Sequence, residues 1–165
     1  MQIIPLLLKE LDMEAAITRK MLSRIPDDKY DWKPHEKSMS IRQLAGHIAE
    51  IPGWIPLGLN TSELDFAKGD YKPNIVNNTQ EVLDIFEQSV ASAKSSLENA
   101  TEDDLLPTWT MRSGDQIHAV LTKYEVIRHA FSQIIHHRAQ LGVFLRLLNV
   151  PIPGTYGPSA DEMNF

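Results

Sequence analysis

The sequence predicts an all-α fold, a four-helix bundle with a long crossover between its second and third helices. Two observations carry this. Four stretches repeat apolar residues at three- and four-residue steps, the period of a helix with one buried face. Capping residues, proline or glycine bound each of them.

The first helix falls within residues 3–25, with Leu7, Leu8, Leu11, Ala15, Ile17, Met21 and Leu22 on its apolar side. Pro26-Asp27-Asp28 ends it, and the stretch around Pro34 reads as an irregular, packed connection. Ser40 and Gln43 have the form of a capping box, in which each side chain takes the other's backbone N–H. That box starts a second helix through Ile41, Leu44, Ala45, Ile48 and Ile51, interrupted by Pro52-Gly53.

Trp54 to Asn78 holds Pro56, Gly58, Gly69 and Pro73 and reads as loop, with a helical turn near Leu57. A third helix begins at Asn78 or Thr79 and buries Val82, Leu83, Phe86, Val90, Ala93 and Leu97. Between Pro107 and Ile117, Trp109 and Met111 alternate with polar neighbours before Ser113-Gly114-Asp115, the pattern of a small hairpin. The fourth helix, Thr122 to Asn149, is the strongest, and the tail after it carries Pro151, Pro153 and two glycines. The chain reads as a single domain over 1–165.

Composition narrows the chemistry. The 165 residues contain no cysteine, which excludes disulfides, thiolate metal sites and cysteine nucleophiles. A formal net charge of −6 supplies no broad positive field for a phosphate backbone, so nucleic acid is not expected as a partner. No apolar run approaches a membrane span, and the opening residues lack a signal-peptide pattern, so a cytoplasmic protein is expected. Gly-rich phosphate loops, His-Glu-x-x-His pairs and Gly-x-Ser-x-Gly elbows are all missing.

What stands out is the distribution of histidine: His47 on the second helix, and His129, His136 and His137 on the fourth. Residues four apart on a helix lie about 6 Å apart along its axis, and those eight apart about 12 Å. A ligand nitrogen must come within about 2 Å of a zinc-like ion, so His129 and His137 cannot readily share one. His137 with Gln133 can, and His47 from a facing helix can complete the set. The opposing interpretation is plain, since helix histidines are commonly hydrogen-bonded structural residues. Glu50, three residues after His47, is the candidate catalytic residue, either orienting that imidazole or acting as a base beside a bound water; it is also readable as a solvated charge. Arg138 and Gln140 read as structural, the arginine fixing the tail through a carboxylate.

Two segments, WKPHEKSMSIRQLAGHIAEIPGW at 32–54 and HHRAQLGVFLRLLNVPIPGTYGPSADE at 136–162, resemble the DinB-like family. The resemblance implies a four-helix bundle, often a homodimer, with a divalent transition metal such as nickel or zinc held by three histidines. One of these falls on His47 and another, directly before an arginine, on His137; the third position is Gln133 here. Gln is a neutral oxygen donor and poorer than imidazole for zinc or nickel, which implies a weakened, altered or empty site. Relatives in the superfamily act as thiol S-transferases or as a thiol-dependent maleylpyruvate isomerase. By resemblance, the chain is expected to be a metal-dependent enzyme acting on a small-molecule substrate with a low-molecular-weight thiol, through a pocket lined by Trp54 and Trp109. The alternative is a metal-poor, inactive small-molecule-binding or dimeric scaffold protein.

Overall fold

The computed structural model describes residues 2–69 and 73–163. Four long helices build the bundle: α1 (Ile4–Leu22), α2 (Ile41–Glu50), α4 (Thr79–Asn99) and α5 (Lys123–Leu147). Between α2 and α4 lie a short helix, α3 (Trp54–Asn60), and a three-residue strand, β1 (Glu63–Asp65). Before α5 comes a hairpin of β2 (Thr108–Ser113) and β3 (Gln116–Thr122).

Each long helix after the first starts where its side chains provide for the orphan N–H groups of the opening turn. Ser40 and Gln43 form the capping box of α2, with Ser40 N donating to Gln43 Oε1 at 2.9 Å. The loop before α2 packs against it, because Ile41 and Arg42 donate their backbone N–H to the Trp32 and Tyr30 carbonyls at 2.9 and 2.8 Å. Asn78 Oδ1 caps α4 by accepting from Glu81 N, and Thr122 with Glu125 forms a second capping box on α5. The C-terminus of α5 is a Schellman turn: Asn149 is left-handed at φ 57°, Val150 N reaches Leu145 O and Asn149 N reaches Arg146 O.

The all-α expectation needs correction, because the strands form one sheet in the order β1-β2-β3. The hairpin expected between Pro107 and Ile117 is present and runs on to Thr122. β1 joins it in parallel, pairing Glu63 with Thr110 and Asp65 with Arg112. Three residues are too few to show a periodicity, so nothing in the sequence distinguished β1 from loop. The long crossover is therefore partly ordered, as α3 and β1; its residues 70–72 lie outside the described ones. Trp109 is fully buried and donates Nε1–H to Thr61 Oγ1 at 2.9 Å, tying the sheet to the end of α3.

The core divides into two apolar clusters. One joins Leu22, Ile41, Leu44, Ile48, Phe86 and Leu145; the other joins Leu11, Ile51, Ile55, Leu97, Phe131 and Ile134. Along α1 and α5, Glu14 and Arg138 fall between residues of the two clusters, and both are 2% exposed. Arg138 Nη1 donates to Glu14 Oε2 at 2.6 Å and to Thr18 Oγ1 at 2.9 Å. Tyr156 of the tail closes the group: its hydroxyl donates to Glu14 Oε1 at 2.6 Å and accepts from Arg138 Nη2 at 2.8 Å. Arg146–Asp161 and Arg24–Glu162 ion pairs hold the tail further along. Among the described residues, no helix is long and apolar enough to cross a membrane.

Removing one partner of a buried, hydrogen-bonded ion pair leaves the other charge uncompensated, at a cost of about 3–5 kcal/mol. Glu14→Ala is therefore expected to lower the unfolding free energy by about that amount in urea denaturation. The joint variant Glu14→Leu/Arg138→Met, which removes both charges and keeps the volume, is expected to recover most of the loss.

Candidate metal centre

His47 lies in the last turn of α2 and His137 midway along α5, and their rings meet edge to face with centroids 4.7 Å apart. Each imidazole is oriented by an oxygen three residues further along its own helix. His47 Nδ1 lies 3.0 Å from Glu50 Oε1, and His137 Nδ1 lies 3.0 Å from Gln140 Oε1. Glu50 is no solvated charge: its side chain is 11% exposed and its Oε2 also accepts from Asn74 Nδ2 at 3.2 Å. Facing the Glu50 carboxylate, which only accepts, His47 carries its proton on Nδ1 and its lone pair on Nε2, and His137 has the same form in the tautomer that donates Nδ1–H to Gln140 Oε1.

Gln133, one turn before His137, places its Oε1 2.8 Å from His137 Nε2. A neutral imidazole has one N–H, and burial pushes the pKa of His137 down, with a smaller contribution from His47 and His136. The neutral ring cannot donate to both glutamine oxygens. At this distance the two atoms are hydrogen-bonded; on a shared cation with bonds of about 2.1 Å they would sit roughly 3.4 Å apart in a tetrahedral site, a small outward shift. Without an ion, the Gln133 amide satisfies the same nitrogen by turning its N–H inward, because the amide carries a donor and an acceptor. The donor types gathered here, two imidazoles and one amide oxygen, are ones that would hold a divalent ion, with His47, His137 and Gln133 as its ligands. Among the described residues no three histidine or carboxylate side chains are arranged to hold an ion, so Gln133 would have to be the third ligand.

Two recesses open beside the pair. One of about 220 Å³ is lined by His47, Ile51, Trp54, His129, Ala130 and Gln133. The other, about 370 Å³, is bounded by Met39, Leu44, His137, Gln140 and Phe144. Trp54 thus faces the site as expected, whereas Trp109 does not, being buried beneath the sheet. His129 shares the smaller recess with His47, its ring 6.2 Å from that of Trp54. His136 is exposed and bonds Gln140, while His118 on β3 bonds Ser113 Oγ at 2.8 Å. Gln140, read from the sequence as structural, has the particular role of anchoring His137 Nδ1. The signal was available in its spacing, which repeats that of Glu50 after His47.

A helix bundle that brings histidines of two facing helices together has the kind of arrangement in which bundle folds build ligand and metal sites from core side chains. The chain is a member of the DinB family, whose profile matches residues 1–164. A relative, the uncharacterised protein YrdA of Bacillus subtilis, is 23% identical over 155 residues, covering 94% of this chain and 89% of YrdA. Among solved structures, a DinB-like protein of Bacillus cereus superimposes with a TM-score of 0.72 at 18% identity, over 91% of this chain and 95% of that one. YfiT of Bacillus subtilis, described as a probable metal-dependent hydrolase with an unusual four-helix bundle topology, gives 0.64 at 13% identity, over 90% and 89% of the two chains. The mycothiol-dependent maleylpyruvate isomerase gives 0.61 at 13% identity, over 84% of this chain and 60% of that one.

The hydrogen bond to Gln140 favours protonated His137 and so opposes the effect of burial. In metal-free protein, His137 is expected to titrate below the ordinary value of about 6.5, and lower still in Gln140→Leu. Because the folded state resists this proton and the unfolded state does not, His137 makes acidification below pH about 6.5 destabilising until the folded ring itself protonates. Ring NMR titration checks the order; a His137 pKa at or above the ordinary value would contradict it.

Proposed function

We propose that this chain is a metal-dependent enzyme that transfers a low-molecular-weight thiol to an electrophilic small molecule, with His47, His137 and Gln133 holding the metal. The observation that carries the reading is the imidazole pair itself: both Nδ1 atoms anchored by oxygens, and Gln133 set against the free Nε2 of His137. A nickel or zinc ion held there would lower the pKa of a bound thiol and so supply a thiolate at neutral pH. Glu50 fixes the tautomer of His47 and Gln140 that of His137. The thiol would give up its proton to solvent water, its sulfur electron pair would form the new S–C bond, and the displaced group would leave with the pair of the bond that breaks. The mycothiol dependence of the isomerase with the same fold supports the thiol, and the description of YfiT supports the metal.

One observation favours a second reading, a metal-poor binding protein. Gln133 stands where an imidazole would bind zinc or nickel more tightly, and its amide also satisfies His137 with no ion present.

Elemental analysis of protein purified without a His tag, joined to nickel and zinc titration, separates the two. The enzyme reading expects near-stoichiometric metal, lost in His137→Ala and in His47→Ala. Glu50→Ala is expected to weaken affinity about ten- to a hundredfold through loss of the anchor on His47, and Gln133→His to strengthen it by on the order of tenfold. A protein that takes up no metal until Gln133 becomes histidine is the metal-poor binder.

A further inference from the structure

The smaller recess has a floor that the metal reading does not use. His129 lies two turns before His137 on α5, about 12 Å along the axis, so it stands apart from the imidazole pair although it lines the same space as His47. Among the described residues its ring makes one aromatic contact, with Trp54 at 6.2 Å and a tilt of 42°, and neither ring nitrogen makes a hydrogen bond. Trp54 and His129 are both only partly buried, Ile51 and Ala130 supply apolar wall, and the whole measures about 220 Å³. That is the liquid volume of roughly seven waters, room for one small ring with a short substituent.

We propose that this recess is a binding site for a small, uncharged, ring-bearing molecule, its ring against Trp54 and a hydroxyl or carbonyl terminus on His129. Aromatic faces pair best offset or edge-on, and the open tilt between Trp54 and His129 leaves the indole able to take such a partner. An imidazole with both nitrogens uncommitted can donate to a carbonyl or accept from a hydroxyl. In the metal-free protein a carboxylate is a poor match, because no Lys or Arg lines the recess and the nearest in sequence to His129, Arg128, is paired with Glu10. A buried anion without a partner is costly. The assignment of this molecule as the electrophilic substrate rests on the thiol-transfer reading; the binding itself does not.

Benzyl alcohol is the probe, titrated into the full metal-free chain and followed through the histidine ring and Trp54 indole N–H resonances, with nickel uptake measured separately. Saturable shifts are expected at His129 and Trp54, with His35 and His118 unmoved. Binding should weaken about fivefold in His129→Leu, read at Trp54, for loss of a hydrogen bond. It should weaken about fivefold in Trp54→Leu, read at His129, for loss of the ring contact, and be largely kept in Trp54→Phe. Benzoate, of similar size but charged, should bind about tenfold more weakly or worse. No saturable shift, equal shifts at His35 and His118, or a preference for benzoate would overturn the proposal. Probe binding to a protein that takes up no nickel overturns the metal reading alone, and nickel uptake without probe binding overturns this one alone.

Discussion

The arrangement of the site depends on a buried ion pair that takes no part in it. Arg138 and Glu14 are packed between the two apolar clusters, where neither charge is tolerated without the other. Successive residues on a helix point about 100° apart. Once Arg138 is held against Glu14 and Thr18 of α1, the rotation of α5 is set, and His137 is turned toward α2 instead. Such a pair contributes little net stability compared with apolar side chains of equal volume. Its physical consequence is angular: a rotation of α5 large enough to move His137 away from His47 would also strand Arg138 in the core. The tail belongs to the same device, since the Tyr156 hydroxyl bridges both charges and its ring lies 5.2 Å from the guanidinium.

The other half of the site is positioned from the opposite end of α2. The loop carbonyls of Tyr30 and Trp32 and the Ser40–Gln43 box hold the first turn. Arg42 then reaches Asp31, Asn77 and the Val76 carbonyl, joining α2 to both segments that flank it. Gly46 allows the returning crossover to pass close by, because a Cβ there would lie 2.9 Å from the Asn74 carbonyl oxygen. That approach brings Asn74 to Glu50, and Glu50 to His47. The backbone contact beside residue 46 and the orientation of the imidazole at 47 are therefore parts of one chain of contacts.

Much of this was legible in the residues alone. The four long helices follow from apolar periodicity, and the starts of α2, α4 and α5 from Ser40, Asn78 and Thr122, because these signals are local and chemically specific. Asn149 before Pro151 marked the end of α5 for the same reason. What was not legible was tertiary. The pairing of β1 with β2 joins residues more than forty positions apart, and no local pattern in Glu63–Asp65 announces it. Trp109 read as a pocket residue because nothing in its neighbourhood shows that its indole N–H will find Thr61. At the site, the pairing of His47 with His137 was anticipated as a matter of helix faces, whereas the place of His129 was not. Helix rise correctly separates His129 from His137, but it says nothing of where α3 will set Trp54.

Gln133 links the two states that the centre can adopt. A third imidazole there would place three basic nitrogens in one partly buried space, each needing a proton, a hydrogen-bond donor or an ion. An amide needs less, because it offers an oxygen to a cation and an N–H to a lone pair by turning over. The replacement therefore weakens the grip on a soft transition metal while letting the metal-free site keep its hydrogen bonds. The contacts behind the two imidazoles are the informative ones here. Both rings have Nδ1 beside an oxygen three residues on, so each presents Nε2 on its far side, toward Gln133 in the case of His137. That repeated spacing orients both rings from behind, the arrangement in which histidine side chains on separate helices are held ready for a ligand between them.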